Sequence, residues 1–252
     1  MRVVRVLNGE DARYGLADDC TVTLISDEPF AAWEREEDIS LSKARLLAPV
    51  VPTKIVCVGI NYRRHADEMG HKLPEEPVIF LKPSTAVNAP NGTIQLPQPS
   101  MRIDYEGELA AVIGRRARHL RPEEVAHHVL GYTCANDVTA RDIQKKDGQW
   151  TRAKSFDGFC PLGPWVETDV EPDDLKIETL LNGEVVQSSR TSDMVFDVPT
   201  LISFVSCVMT LLPGDVVLTG TPGGIGPMHP GDVVEVRIEG VGSLVNPVAP
   251  AL

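Results

Sequence analysis

The sequence is short of positive charge, long apolar runs and cysteine, and each shortage excludes something. Against 36 Asp and Glu stand only 24 Lys and Arg, a formal net charge of −12 at neutral pH. A duplex-binding protein needs a cationic face to displace phosphate counterions, so nucleic acid is not an expected partner. The same sign disfavours adsorption to anionic lipid, so no membrane partner is expected either. No segment approaches the ~18 apolar residues that span a bilayer. The opening MRVVRVLNGEDARYG turns polar too early for a signal-peptide core. Five cysteines (Cys20, Cys57, Cys134, Cys160 and Cys207) are odd in number, widely spaced and without a CxxC. They suit reduced thiols better than a disulfide framework or zinc ribbon. The expectation is a soluble cytoplasmic protein.

What is plentiful is glycine and proline, 20 of each in 252 residues. That exceeds the ordinary ~12% without reaching the ~25–30% of low-complexity chains, so many turns are expected within a folded protein. The length suits one large domain, or one domain with a small appendage. Val3–Leu7, the RYGLAD segment and Thr21–Ile25 read as strands of a small N-terminal β unit, residues 1–49. The boundary falls near Pro49–Pro52, since prolines break both ladders and helices. The sequence leaves open whether this piece extends the main sheet.

Residues 50–252 read as mainly strand. Lys54–Val58, Val78–Leu81, Tyr105–Ile113, Val129–Asp137, Leu175–Leu181 and Val185–Gln187 are the clearest runs. Asn182-Gly183 is a type I′ hairpin signal. Two PGDVV segments, at Pro213 and Pro230, read as successive hairpin entries. Helices are few: Tyr62–Met69, Thr139–Lys146 with Asp137 placed to cap it, and Pro199–Leu212 with Leu201, Phe204, Val205, Val208 and Leu212 on one stripe. The strand–helix alternation of a doubly wound sheet is missing, so a β-rich sandwich or roll with few helices is expected.

Chemistry concentrates in five places. Asp104-Tyr105-Glu106-Gly107-Glu108 opens a strand, and residues two apart share a strand face, so Glu106 and Glu108 project together. Asp104 would join them if the strand began there. The strand continues Leu109 to Ile113, apolar on both faces, and acids at the mouth of a buried strand repel unless a cation sits between them. Asp137 ends a second strand, either as a helix cap or as a third carboxylate in an all-oxygen set suited to Mg²⁺ or Mn²⁺. Three negative charges exceed a dication by one, and Lys154, set between Trp150 and Phe156–Phe159, is the candidate balancing cation. His65 and Glu68 lie at i and i+3 in GINYRRHADEMGH, spaced for a base and its orienting carboxylate. That segment lacks the histidine pair of HExxH. Thr219 to Gly226 is glycine-rich, but no GK[ST] follows and Pro227 and Pro230 forbid a Rossmann helix. It reads as a flexible lip whose amides and Thr221 hydroxyl meet a substrate carboxylate, or as a plain turn.

Together, GINYRRHADEMG, FLKPSTA, DYEGELA, NDVTARDIQ, WTRAKSFDGFCPLGP, LNGE, PGDVVLTGTPGGIG and PGDVVEVRIEG resemble, in order, the fumarylacetoacetate hydrolase family over residues ~50–245. The resemblance implies a mixed β-sandwich roll, with residues 1–49 similar to the N-terminal β domain of many bacterial members. It implies Mg²⁺ or Mn²⁺, with Ca²⁺ able to replace them in crystals, on Glu106, Glu108 and Asp137. Lys154 would face the substrate, His65 and Glu68 would form a dyad on a mobile segment, and Gln144, Thr221, Arg141 and Gly220 would help hold the substrate. Members of the family hydrolyse C–C bonds in acylpyruvates such as fumarylpyruvate, decarboxylate oxaloacetate-type acids, or isomerise and decarboxylate dienedioates of aromatic catabolism.

The expected activity is therefore metal-dependent C–C hydrolysis or decarboxylation of a 2-oxo (di)carboxylate through a metal-stabilised enolate, or the isomerase alternative. A homodimer is expected. Two rivals stand beside it: a zinc peptidase or amidohydrolase using His65, Glu68 and His71, and a non-catalytic metal-binding β protein.

Overall fold

The computed structural model describes residues 1–70 and 72–251. The chain begins with strands β1 (Arg2–Asn8), β2 (Asp11–Ala17), β3 (Thr21–Ile25) and β4 (Arg35–Ser40), then β5 (Arg45–Leu46) and β6 (Ile55–Gly59). Helix α1 (Arg63–Met69) precedes β7 (Val78–Lys82), β8 (Val87–Asn88), β9 (Ile94–Leu96), β10 (Ile103–Tyr105), β11 (Gly107–Ile113), β12 (Val129–Asn136) and β13 (Thr139–Ala140). Helices α2 (Arg141–Asp147) and α3 (Thr151–Lys154) lead to β14 (Cys160–Glu167) and the hairpin β15 (Lys176–Leu181) and β16 (Glu184–Arg190). Helix α4 (Val198–Val208), β17 (Val216–Leu218), β18 (Gly226–Pro227), β19 (Val233–Ile238) and β20 (Gly242–Pro250) complete it.

The expected strand-rich, helix-poor architecture is what the chain adopts. The main path of a twelve-stranded sheet runs β4-β3-β2-β1-β14-β12-β11-β17-β6-β7. A five-stranded sheet, β16-β15-β19-β20-β9, packs on it. The N-terminal strands extend the large sheet, because β1 pairs with β14 at Arg2↔Glu167 and Val3↔Val166.

Strand β11 explains the apolar run on both faces. Leu109, Ala111 and Ile113 meet Ile177, Val236 and Leu244 of the second sheet and Ile202 and Val205 of α4. Ala110 and Val112, pointing the other way, join Ile55, Leu162, Val216 and Leu218. A central strand buried on both sides must read as continuous apolar sequence. All seven residues of β11 are buried, Glu108 included.

Several local expectations need correction. The run Tyr105–Ile113 is two strands broken at Glu106, and β10 belongs to a small separate sheet with β13 and β18. Asp137 does not cap α2, which starts after Ala140 without a side-chain cap. Helix α4 ends at Val208, and Val208 and Leu212 are exposed; its buried face is Val198, Leu201, Ile202 and Val205. The first PGDVV enters no hairpin: β17 lies parallel to β6 and antiparallel to β11. The second leads into the β19–β20 hairpin as expected. At the β15–β16 turn Asn182 and Gly183 both take positive φ, 54° and 84°, as a type I′ turn requires. Edge strand β4 carries Glu36, Glu37 and Asp38, and these exposed charges blunt the sheet's end.

Candidate active site

Three acids meet because two antiparallel strands end side by side. The register pairs Gly107 with Asn136 and Glu108 with Ala135. Glu106 therefore precedes β11 where Asp137 follows β12, and the Asp137 amide donates to the Glu106 carbonyl at 2.8 Å. The Glu106 amide donates to Asn136 Oδ1 at 2.9 Å, tying both strand ends together. Gly107 lies so close to the second sheet that a Cβ would sit 2.1 Å from Thr179 Oγ1, so only glycine fits between the two glutamates. Oxygens of Glu106, Glu108 and Asp137 lie within 4.8 Å of one another, and all three residues are buried.

Cations surround this cluster. Lys154 Nζ bridges Glu106 Oε2 at 2.8 Å and Asp137 Oδ2 at 2.6 Å. Its ammonium also lies 5.1 Å from the Phe80 ring centre, which gives it an aromatic wall. Arg141 donates to Asp104 at 2.9 Å, to Gln144 Oε1 at 2.6 Å and to Glu106 Oε1. Asp104, fully buried, is held by Arg102 and Arg141 and stands outside the triad, a departure from the shared-face expectation caused by the break at Glu106. Lys82, at the end of β7, donates to Asp137 Oδ1 at 2.5 Å and to the Val138 carbonyl at 3.2 Å. Sequence reasoning assigned Lys82 no role. The one available signal was a lysine closing an apolar strand in FLKPSTA.

Charge accounting explains the titration pattern. Four buried carboxylates, Asp104, Glu106, Glu108 and Asp137, face three buried cations, Lys82, Arg141 and Lys154. Burial favours a neutral Glu106, but the Lys154 and Arg141 charges overcome it and hold the carboxyl well below its usual range. Among the described residues Glu108 receives only the Gly220 amide, at 2.7 Å. Burial, then the charges of Asp137 and Glu106, push it well above the usual range. The uncompensated charge thus falls on Glu108. Three convergent oxygen donors, one of them without a cationic partner, fit a hard dication, and no sulfur or imidazole belongs to the set.

A cavity of about 330 Å³ opens over this floor. Val58, Ile60, Phe80 and Trp150 supply apolar wall, and His65, Gln144, Lys145 and Thr221 supply polar wall. Ile60 holds φ at 59°, unusual for a β-branched residue. Its neighbour Asn61 fixes the turn by donating to the carbonyls of Phe196 and Thr219.

His65, on α1, is mostly buried, and among the described residues its Nδ1 has no hydrogen-bond partner. Burial lowers its pKa, opposed by the Glu106 charge. Glu68 Oε2 lies 3.8 Å from that nitrogen, beyond a hydrogen bond, and accepts the Gly224 amide at 2.9 Å instead. The glycine-rich lip therefore spends its amides on protein carboxylates, Gly220 on Glu108 and Gly224 on Glu68. The Thr221 hydroxyl donates to the Gly107 carbonyl at 2.9 Å and accepts from Gln187 at 2.9 Å. These amides and this hydroxyl are thus engaged within the protein, while Thr221 still lines the cavity. His71 of the zinc alternative lies outside the described residues.

Comparison with known proteins places this geometry in context. Residues 54–249 match the family model described as fumarylacetoacetate (FAA) hydrolase C-terminal, and residues 1–49 match Rv2993c-like, N-terminal. Protein Rv2993c of Mycobacterium tuberculosis is 47% identical over 248 residues, covering 94% of this chain and 91% of that protein. The mitochondrial oxaloacetate tautomerase Fahd2a of Rattus norvegicus is 44% identical over 222 residues, covering 83% of this chain and 71% of the relative. The 5-carboxymethyl-2-hydroxymuconate delta-isomerase of Mycobacterium smegmatis superposes with a TM-score of 0.94 at 45% identity, covering 100% of both chains. The 2-hydroxyhepta-2,4-diene-1,7-dioate isomerase of Mycobacterium marinum gives 0.93 at 45% identity, covering 99% of this chain and 98% of that one.

Proposed function

This chain belongs to the fumarylacetoacetate hydrolase family, and from that premise we propose that it enolises a 2-oxo dicarboxylate at a divalent-metal site, relocating a proton between carbon and oxygen or along a conjugated chain. The observation that carries this reading is the convergence of Glu106, Glu108 and Asp137 on the cavity floor with Lys154 beside them. Magnesium or manganese held by those three acids would supply Lewis-acid polarisation of the keto oxygen.

The chain's own residues do the rest. Lys154 offers an ammonium to the oxygen on which negative charge develops, in a buried site where one charge counts for more than in water. Arg141 and Lys82 lock Glu106 and Asp137 in position, and Asp104 holds Arg141. His65, kept neutral by burial, is available to take a proton from the carbon beside the ketone and return it elsewhere. Phe80 and Trp150, edge to face at 5.2 Å, form a wall that keeps water from the carbon chain.

Tautomerase and isomerase, the names borne by the rat relative and the two mycobacterial structures, denote relocation of a bond rather than its cleavage. That support, and a base without a closed dyad, put proton relocation ahead of the hydrolysis or decarboxylation first expected. Hydrolysis stands as a second reading because Glu68 is a short movement from His65, and closing that 3.8 Å gap would complete a water-activating pair. Decarboxylation needs no such closure, since loss of CO₂ leaves the same enolate.

Assembly as a homodimer, the commonest closed symmetry, and a cytoplasmic location belong to the same proposal, as does a division into domains at residue 49. Light scattering at twice the chain mass tests the first. No helix of the described residues is long and apolar enough to cross a membrane. The test of the function is an oxaloacetate assay that follows enol–keto conversion and pyruvate release in parallel, with Mg²⁺ or Mn²⁺ and with chelator. Chelator-sensitive tautomerisation faster than pyruvate release supports the reading. Full activity in chelator, or no turnover of any 2-oxo acid, overturns it, and the second result returns the protein to a non-catalytic metal binder.

A further inference from the structure

We propose that Lys145 reads the distal carboxylate of the substrate, so that the cavity selects dianionic 2-oxo acids over monoanionic ones of equal length. The inference rests on the enolisation reading and deepens it.

Helix α2 presents Arg141, Gln144 and Lys145 at i, i+3 and i+4, so all three share one face, and all three line the cavity. Arg141 is committed within the protein, and Gln144 is tied to it through Oε1. Arg141 is bound to Asp104 and Glu106, and Gln144 Oε1 accepts from Arg141. Every other charged side chain lining the cavity has a partner: Lys154 bridges Glu106 and Asp137, and Glu108 accepts the Gly220 amide. Among the described residues Lys145 has neither an ion pair nor a side-chain hydrogen bond. It is exposed at the mouth, one helical turn, about 6 Å of rise, beyond Arg141.

The cavity that the acid floor and this lysine both line is also walled by Val58, Ile60, Phe80 and Trp150, which suit the carbon chain of a ligand charged at both ends.

The test uses the full-length protein with Mg²⁺ and two six-carbon probes, 2-oxoadipate and 2-oxohexanoate, which differ only in a terminal carboxylate against a methyl. Deuterium exchange at C3, read by NMR, reports enolisation, and calorimetry reports affinity without turnover. The wild type is expected to prefer 2-oxoadipate in both measurements. Lys145→Gln is expected to reduce that preference about 10- to 100-fold, the range for a hydrogen bond to a charged group, and Lys145→Arg to restore most of it. An affinity ratio unchanged in Lys145→Gln makes Lys145 an ordinary solvated lysine and overturns the proposal. If neither probe exchanges but the affinity ratio still falls in Lys145→Gln, the enolisation reading fails while the assignment of Lys145 stands.

Discussion

Replacing Glu108 with glutamine removes the one acid of the triad that has no lysine or arginine at ion-pair distance. Its carboxyl is buried, receives a single amide, and is pushed upward by burial and then by Asp137 and Glu106. The folded chain therefore holds a proton on Glu108 that the unfolded chain releases near the ordinary value of 4.5. A raised carboxyl favours the folded state at low pH, and that advantage is lost as pH rises from the ordinary value toward the raised one. Each pH unit in that window costs the wild type about 1.4 kcal/mol, or roughly 3–6 °C in melting temperature for a chain of this size. Glutamine keeps the shape and the acceptor for the Gly220 amide but has no proton to lose. Thermal melts of both proteins in chelator, from pH 5 to pH 8, are the assay. The melting temperature of Glu108→Gln minus that of the wild type should grow with pH, and adding Mg²⁺ or Mn²⁺ should stabilise the wild type alone. A difference that stays flat across the range, or a variant equally stabilised by the metal, refutes the charge accounting.

Two further perturbations follow from the same site. Lys82→Met strips Asp137 Oδ1 of its buried partner and should cost about 3–5 kcal/mol in urea unfolding at neutral pH, and wild-type stability would show the pair to be dispensable. His65→Ala should slow proton relocation by about 10²–10⁴-fold. Because burial lowers the imidazole pKa, the acid limb of the wild-type kcat/KM profile should lie below 6.5, and a limb at or above that value contradicts the role given to His65.

The triad was legible because strand alternation and strand ends are local properties. Glu106 and Glu108 flank one glycine, and Asp137 closes a run of apolar residues. What the sequence hid is long-range. Nothing near Lys82 announces Asp137, 55 residues away. The break at Glu106, which sends Asp104 to the arginines, depends on β13 and β18 pairing with β10. The Gly220 and Gly224 amides resembled a ligand-binding lip, and only the fold shows that Glu108 and Glu68 take them. Strand β4 escaped notice because an exposed edge strand carries charges where periodicity looks for apolar residues.

The most direct test is a crystal of the full chain soaked with Mn²⁺ and recorded at an anomalous wavelength. One strong peak is expected over the cavity floor, with an oxygen of each of Glu106, Glu108 and Asp137 at roughly 2.0–2.3 Å. No peak there, or an ion held by His65 with Glu68 instead, contradicts it.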